Sequence, residues 1–226
     1  MGYSHYWRRP EIIPFETFRH IRCDFERLIL PLSDAGVQLA DAFGGGIPEI
    51  TDDLIRFNGP ILCGHPSNED VVIPYPSEDA QGVGPNVNAI DGDYYGFGVT
   101  LRHRCCNGRC ACETFTFERR KTLRDRQILV ENGLCCEWVK TAFRPYDIAV
   151  TAALLIAKHY LKDQMVIHSN GADPQWLDAR RICQRVLRYG DWFGIVLHEI
   201  EERSPDGDLR AVTRRVLEEV HPPVIE

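Results

Sequence analysis

No apolar run in this chain approaches the roughly 20 residues that a membrane-spanning helix needs. The longest, residues 148–157, is about half that length and reads as a buried helix. The first residues show no charged-then-apolar signal peptide. Met1-Gly2 is followed by Tyr6 where a myristoylation motif wants Ser or Thr. The expectation is a cytosolic protein with no membrane partner. Basic residues are also in deficit: 26 Lys and Arg against 33 Asp and Glu give a net charge of −7. That argues against sequence-independent binding to DNA or RNA, and no nucleic-acid partner is expected. Local basic patches remain open at Arg102, Arg104 and Arg109, and at Arg119, Arg120 and Lys121. Neither GxxxxGK[ST] nor GxGxxG occurs, and His198-Glu199-Ile200-Glu201-Glu202 lacks the second His of HExxH. Internal repeats and low-complexity tracts are absent.

A hydrophobic content of 44% is enough for a real core and excludes a disordered chain. With 226 residues, the chain reads as one α+β domain, 1–226. Alternation marks strands at 2–8, 37–42, 54–57, 94–104, 113–117, 127–131, 134–139 and 165–169. Helical spacing marks 15–30, 145–161 and 174–189, with Pro145 and Pro174 suited to first turns. Residues 193–200 fit either type, and 208–220 read as a charged, amphipathic C-terminal helix. The expected class is a mostly antiparallel sheet with two or three packed helices and that last helix. Residues 60–95, punctuated by Pro and Gly, read as a long irregular loop, either a functional arm or a surface excursion.

The nine cysteines are expected to be mostly reduced, with Cys23 and Cys183 in helix cores. Cys135 and Cys136 are adjacent in a strand and face opposite ways. The densest group is Cys105, Cys106, Cys110 and Cys112, with His103 before it. Asn107-Gly108 predicts a two-residue hairpin, which puts His103, Cys105, Cys110 and Cys112 on one face and Cys106 on the other. Those four are candidate zinc ligands, although a flat hairpin spaces them awkwardly for one tetrahedral ion. Structural thiols or a Cys105–Cys110 redox pair are the alternatives.

A second candidate site is Lys140-Thr141-Ala142-Phe143-Arg144-Pro145-Tyr146-Asp147, between a strand and a helix start. Free amides and the helix dipole favour an anion there, with Lys140 and Arg144 as cations and Thr141 and Tyr146 as hydroxyl donors. The plainer reading pairs Arg144 with Asp147 and packs Tyr146. The turn His168-Ser169-Asn170-Gly171 sits at a strand end, where ligands are common.

The opening Met1-Gly2-Tyr3-Ser4-His5-Tyr6-Trp7 resembles the "MGYTHYW" start of a group of uncharacterised bacteriophage and prophage proteins. The similarity continues at Phe57-Asn58-Gly59, Cys112-Glu113-Thr114-Phe115, Lys140-Thr141-Ala142, Pro145-Tyr146-Asp147 and Asn170-Gly171 before Trp176. The resemblance implies an accessory phage protein in the cytoplasm of an infected bacterium. It singles out Tyr3, His5, Trp7, Asn58, Lys140, Tyr146 and Asp147 as pocket candidates beside Thr141 and Arg144. The leading expectation is capture, without turnover, of a small anionic ligand such as a nucleotide-derived immune signal. The alternatives are an enzyme on a nucleotide-like substrate, using His5, Tyr146 and Asp147 as acid–base groups, or an inhibitor of a host protein. A homo-oligomer fits the binding and inhibitor readings.

Overall fold

The computed structural model describes residues 3–65, 71–72, 103–104, 106, 108–121, 134–203 and 209–220. Strand β1 (Ser4–Pro10) alternates cleanly, with His5, Trp7 and Arg9 buried and Tyr6, Arg8 and Pro10 facing outward. It is an interior strand, second in a five-stranded antiparallel sheet of order β7-β1-β8-β10-β9. The partners are β7 (Leu134–Lys140), β8 (Val166–Ser169), β9 (Phe193–Arg203) and β10 (Leu209–Glu219). Register sets the two faces. His5 opposes Val139 and Ser169 on the inner face, and Tyr6 opposes Trp138 and His168 on the outer face.

Three helices cover the inner face. Helix α1 (Phe15–Asp34) buries Phe18, Ile21, Phe25, Leu28 and Leu32, one stripe at helical spacing. It runs four residues past the predicted end: Pro31 does not stop it, and Gly36, at φ +83°, does. Helix α2 (Asp147–Leu161) is buried on nearly every side, as its all-round apolar sequence requires. Helix α3 (Asp173–Leu187) has Pro in its first turn and ends at Arg188, in the left-handed region at φ +69°. Leu154, Phe18, Trp176, Ile167 and Leu217 belong to one buried cluster joining the helices to the sheet.

A second sheet, order β2-β3-β6, combines β2 (Glu49–Ile50), β3 (Leu54–Phe57) and β6 (Phe115–Glu118). Its Phe57 and Phe117 stack on Phe25 and Phe18 of α1, and Phe115 meets Trp7. A two-stranded pair joins β4 (Val71–Val72) to β5 (His103–Arg104).

The architecture is α+β and mostly antiparallel. The C-terminal helix is corrected: residues 209–219 form β10, paired along its length with β9, which also settles 193–200 as strand. Residues 37–42 make only a bridge, Ala40 to Asn58, and among the described residues β6 pairs with β3. The expected strand 127–131, most of the loop 60–95 and most of the strand 94–104 lie outside the described residues.

Candidate metal centre and its surroundings

Four ligand atoms converge where the chain leaves β3 and where it approaches β6. Cys63, His65, Cys106 and Cys110 place one ligand atom each within 4.8 Å of one another. Cys106 Sγ lies 3.4 Å from both Cys63 Sγ and Cys110 Sγ. His65 Nδ1 lies 3.5 Å from Cys106 Sγ and 3.3 Å from Cys110 Sγ. Zinc–sulfur and zinc–nitrogen bonds of about 2.3 and 2.0–2.1 Å make tetrahedral edges of about 3.5–3.8 Å. The cluster is close to those edges and far from a disulfide, whose sulfurs are about 2.05 Å apart. A group of this kind can hold a metal ion.

Local sequence explains how the two segments meet. Asn58 Oδ1 accepts from the amides of Gly59 and Cys112, and its Nδ2 donates to the Cys112 carbonyl. The Cys110 amide donates to Pro60 O at 3.1 Å. A Cβ on Gly59 would sit 2.2 Å from Cys110 O, so only glycine fits there. Asn58 is therefore a clamp between segments. The chain turns at Gly108, at φ +69°, with the Arg109 amide donating to Cys106 O at 3.1 Å.

The expected hairpin parity does not apply to Cys106 and Cys110, because among the described residues no ladder flanks the turn: β5 pairs with β4 and β6 with β3. Cys106 and Cys110 share one site. Cys112 is clamped through its backbone and packs against the hydrophobic core. Cys105 and the His103 side chain lie outside the described residues.

The thiols compete for charge. Burial pushes Cys63 up, but the His65 amide and the side chains of Cys106, Cys110 and His65 outweigh it and bring Cys63 down to about 6. Cys106 and Cys110 are both raised, by burial first and then by the neighbouring thiols. Three thiolates in one small volume would repel, and a divalent cation held by them would supply the missing positive charge.

Beside the cluster, the segment predicted as an anion site is used otherwise. The Arg144 guanidinium donates to Cys106 O. Thr141 Oγ1 donates to Asp147 Oδ1 at 2.6 Å, and Tyr146 Oη to Glu113 O at 2.6 Å. Lys140 is exposed at the end of β7, its amide bonded to Glu113 Oε2. Ala142 and Phe143 both have positive φ, which costs on the order of 1–2 kcal/mol per residue. The Thr141 and Ala142 amides converge on Tyr3 O, and Phe143 lies under the Arg104 guanidinium at 4.2 Å. Arg104 is itself buried against Asp178 of α3 at 2.6 Å.

Behind this turn His5, Asp147 and Ser169 form a chain. His5 Nε2 lies 2.8 Å from Asp147 Oδ1, and His5 Nδ1 3.0 Å from Ser169 Oγ. Tyr3 and Trp176 set their rings edge-on to His5, at 5.2 and 5.3 Å. Nucleophile, base and carboxylate stand in the order of a hydrolase triad. All three are buried, however, and Ser169 Oγ already accepts from the Gly171 amide and Trp176 Nε1. Trp7 donates to Glu137, which also binds Arg9 and Lys121. The structure thus brings Tyr3, His5, Thr141, Tyr146 and Asp147 together around one another, with Asn58, Trp7 and Arg144 as ties to neighbouring segments.

An open cleft of about 160 Å³ lies at the β7 edge, lined by Trp7, Thr114, Thr116, Lys121, Glu137 and Trp138. Pockets that enclose a drug-sized ligand run to about 300–1,000 Å³. Cys63 and His65 escaped the sequence reading because they sit in the Pro- and Gly-rich stretch. Their Cys-x-His spacing was the available signal. No helix among the described residues is long and apolar enough to cross a membrane.

No protein-family model matches this chain, and no curated protein or solved structure is detectably similar to it.

Proposed function

We propose that this chain is an accessory binding protein of bacteriophage type, locked by a structural zinc ion, that holds an anionic, nucleotide-like ligand without converting it. The observation that carries the reading is the convergence of Cys63, His65, Cys106 and Cys110. Three thiolates and one imidazole complete a zinc tetrahedron and leave no position for water or substrate, which is the pattern of a structural ion. The acid–base groups of the enzyme reading point the same way: His5, Tyr146 and Asp147 are buried, with His5 and Thr141 on Asp147 Oδ1 and Tyr146 on a backbone carbonyl. The MGYSHYW opening supports the phage context, with the host cytoplasm as workplace and a homo-oligomer as working state.

Native mass spectrometry of freshly purified protein tests the reading. One zinc per chain, and a nucleotide-like mass that leaves unchanged on denaturation, are expected. A converted product, or a chain that takes up no zinc, overturns it.

A second reading, contact with a host protein, is favoured by one surface. Phe43, Ile47 and Leu62 are 84%, 85% and 93% exposed. Their loops are joined by the Ile61 amide donating to Gly44 O at 2.9 Å. Exposed apolar groups gathered in this way mark interaction sites. Capture of a partner lost on Leu62→Asp with zinc retained would favour this reading over the first.

A further inference from the structure

The outer face of the five-stranded sheet carries a row of rings. Trp138 on β7 pairs with Tyr6 on β1, Tyr6 with His168 on β8, and His168 with Val216 on β10. Cross-strand partners point to the same side, so these four residues line one track across four strands. The three helices pack on the opposite face, and Tyr6 and Trp138 stay 43% and 59% exposed. Rings left this open, Tyr6 on an interior strand and Trp138 on the edge strand, keep much of their apolar area in water and so add less to the fold than buried ones would.

Charge on this face runs against that of the chain. Among the side chains described on this face, Arg8, Lys140 and Arg214 accompany the ring row, and the acidic Glu218 is paired with His198, while the whole protein carries −7. Arg8 flanks the track on one side and Lys140 on the other, each two residues along its strand from a ring. A second copy stacked face to face would bring these cations together. An anionic partner with flat, stackable groups fits instead.

We infer that this face binds single-stranded nucleic acid, with successive bases stacking on Trp138, Tyr6 and His168 and phosphates meeting Arg8 and Lys140. Neighbouring strands are about 4.8 Å apart, so the three rings span about 10 Å and accept two or three bases. The inference deepens the nucleotide-binding reading above and rests on it. It prefers a strand to a mononucleotide for a physical reason: the face is open, and one base on an open face buries too little surface, whereas a strand adds stacking at each ring. The whole-chain charge argues against binding a duplex through its phosphates alone. Stacking on a local basic face needs few cations.

Fluorescence anisotropy with a fluorescein-labelled ten-nucleotide oligouridylate, on zinc-loaded protein, tests this. Saturable binding is expected, with log K falling against log salt at a slope of about −1.4 for two phosphate contacts. Trp138→Ala and Tyr6→Ala should each weaken binding about tenfold, Trp138→Phe far less, and all three should melt like the parent because the rings are exposed. Arg8→Gln with Lys140→Gln should flatten the salt slope. Unchanged affinity in Trp138→Ala overturns the inference. So does uridine monophosphate binding as tightly as the strand, although that outcome leaves the nucleotide-binding reading standing. No response to strand or to any mononucleotide overturns both. Concentration-dependent dimerisation abolished by Trp138→Glu, without oligonucleotide binding, assigns the face to a second copy and overturns the inference.

Discussion

His5 Nε2 lies 2.8 Å from Asp147 Oδ1, and neither side chain is exposed to solvent. Ser169 decides how the proton is placed. Its oxygen already accepts from Gly171 N and Trp176 Nε1, so its hydroxyl hydrogen goes to His5 Nδ1. His5 Nδ1 then accepts, and Nε2 is the side that donates to the carboxylate. This network ties β1, β8, α2 and α3 at one point. His5→Ala leaves the buried Asp147 carboxylate with one donor fewer and should cost about 2–4 kcal/mol. Urea unfolding measures it. A variant as stable as the parent would remove the structural role and return the enzyme reading to consideration.

The metal centre separates cleanly by substitution. Cys106→Ser removes a ligand and should abolish stoichiometric zinc, whereas Cys112→Ser should keep it. Losing a closure that joins two distant segments costs on the order of 3 kcal/mol, which lowers Tm by about 6–12 °C in a chain of this size. A chelator should produce the same shift in the parent and none in Cys106→Ser. Zinc retained by Cys106→Ser but lost from Cys112→Ser would restore the hairpin ligand set.

What could be read from sequence divides along physical lines. Helices α1, α2 and α3 were legible because their apolar spacing is set by the core they face, and β1, β7 and β8 because alternation survives pairing. The C-terminal helix was misread because LRAVTRRVLEE carries charges that suit a helix surface. Its Val212, Thr213 and Val216 favour a strand, and pairing with β9 decided between the two. The metal site was half legible. Cys110 and the turn at Gly108 follow from local chemistry, but Cys63 and His65 arrive through the Asn58 clamp, a contact 54 residues long in sequence. Tyr3, His5, Thr141, Tyr146 and Asp147 meet around one packed turn, a juxtaposition that depends on the β1–β7 register and not on local spacing. The exposed ring row depends on strand register, which periodicity alone does not supply.

Register in the β9–β10 pair makes its own prediction. Glu199 and Thr213 are directly opposed, and both side chains are exposed. Opposed residues in an antiparallel pair have Cα atoms about 4.5–5.5 Å apart, within reach of a disulfide. Glu199→Cys with Thr213→Cys should oxidise to a cross-strand bridge, seen as a linked peptide by mass spectrometry. A C-terminal helix would hold the two thiols apart, and no linked peptide would form.

His159 gives a pH dependence. Its ring stacks on Tyr189 at 3.8 Å, with Tyr160 edge-on at 5.0 Å. Both tyrosines donate to the buried Asp24. Burial holds the imidazole below its usual range. Lys162 pushes the same way, and Glu219 and Asp24 oppose without prevailing. A base whose folded pKa is depressed binds fewer protons folded than unfolded, so stability rises with pH across that interval. The loss should therefore begin as pH falls through about 6.5, the unfolded value, and level off below the folded one. His159→Phe keeps the stack on Tyr189 and removes the titration. Its Tm should fall less than that of the parent between pH 7 and pH 5, measured by calorimetry in matched buffers. Equal slopes in the two proteins would move the acid sensitivity to another group.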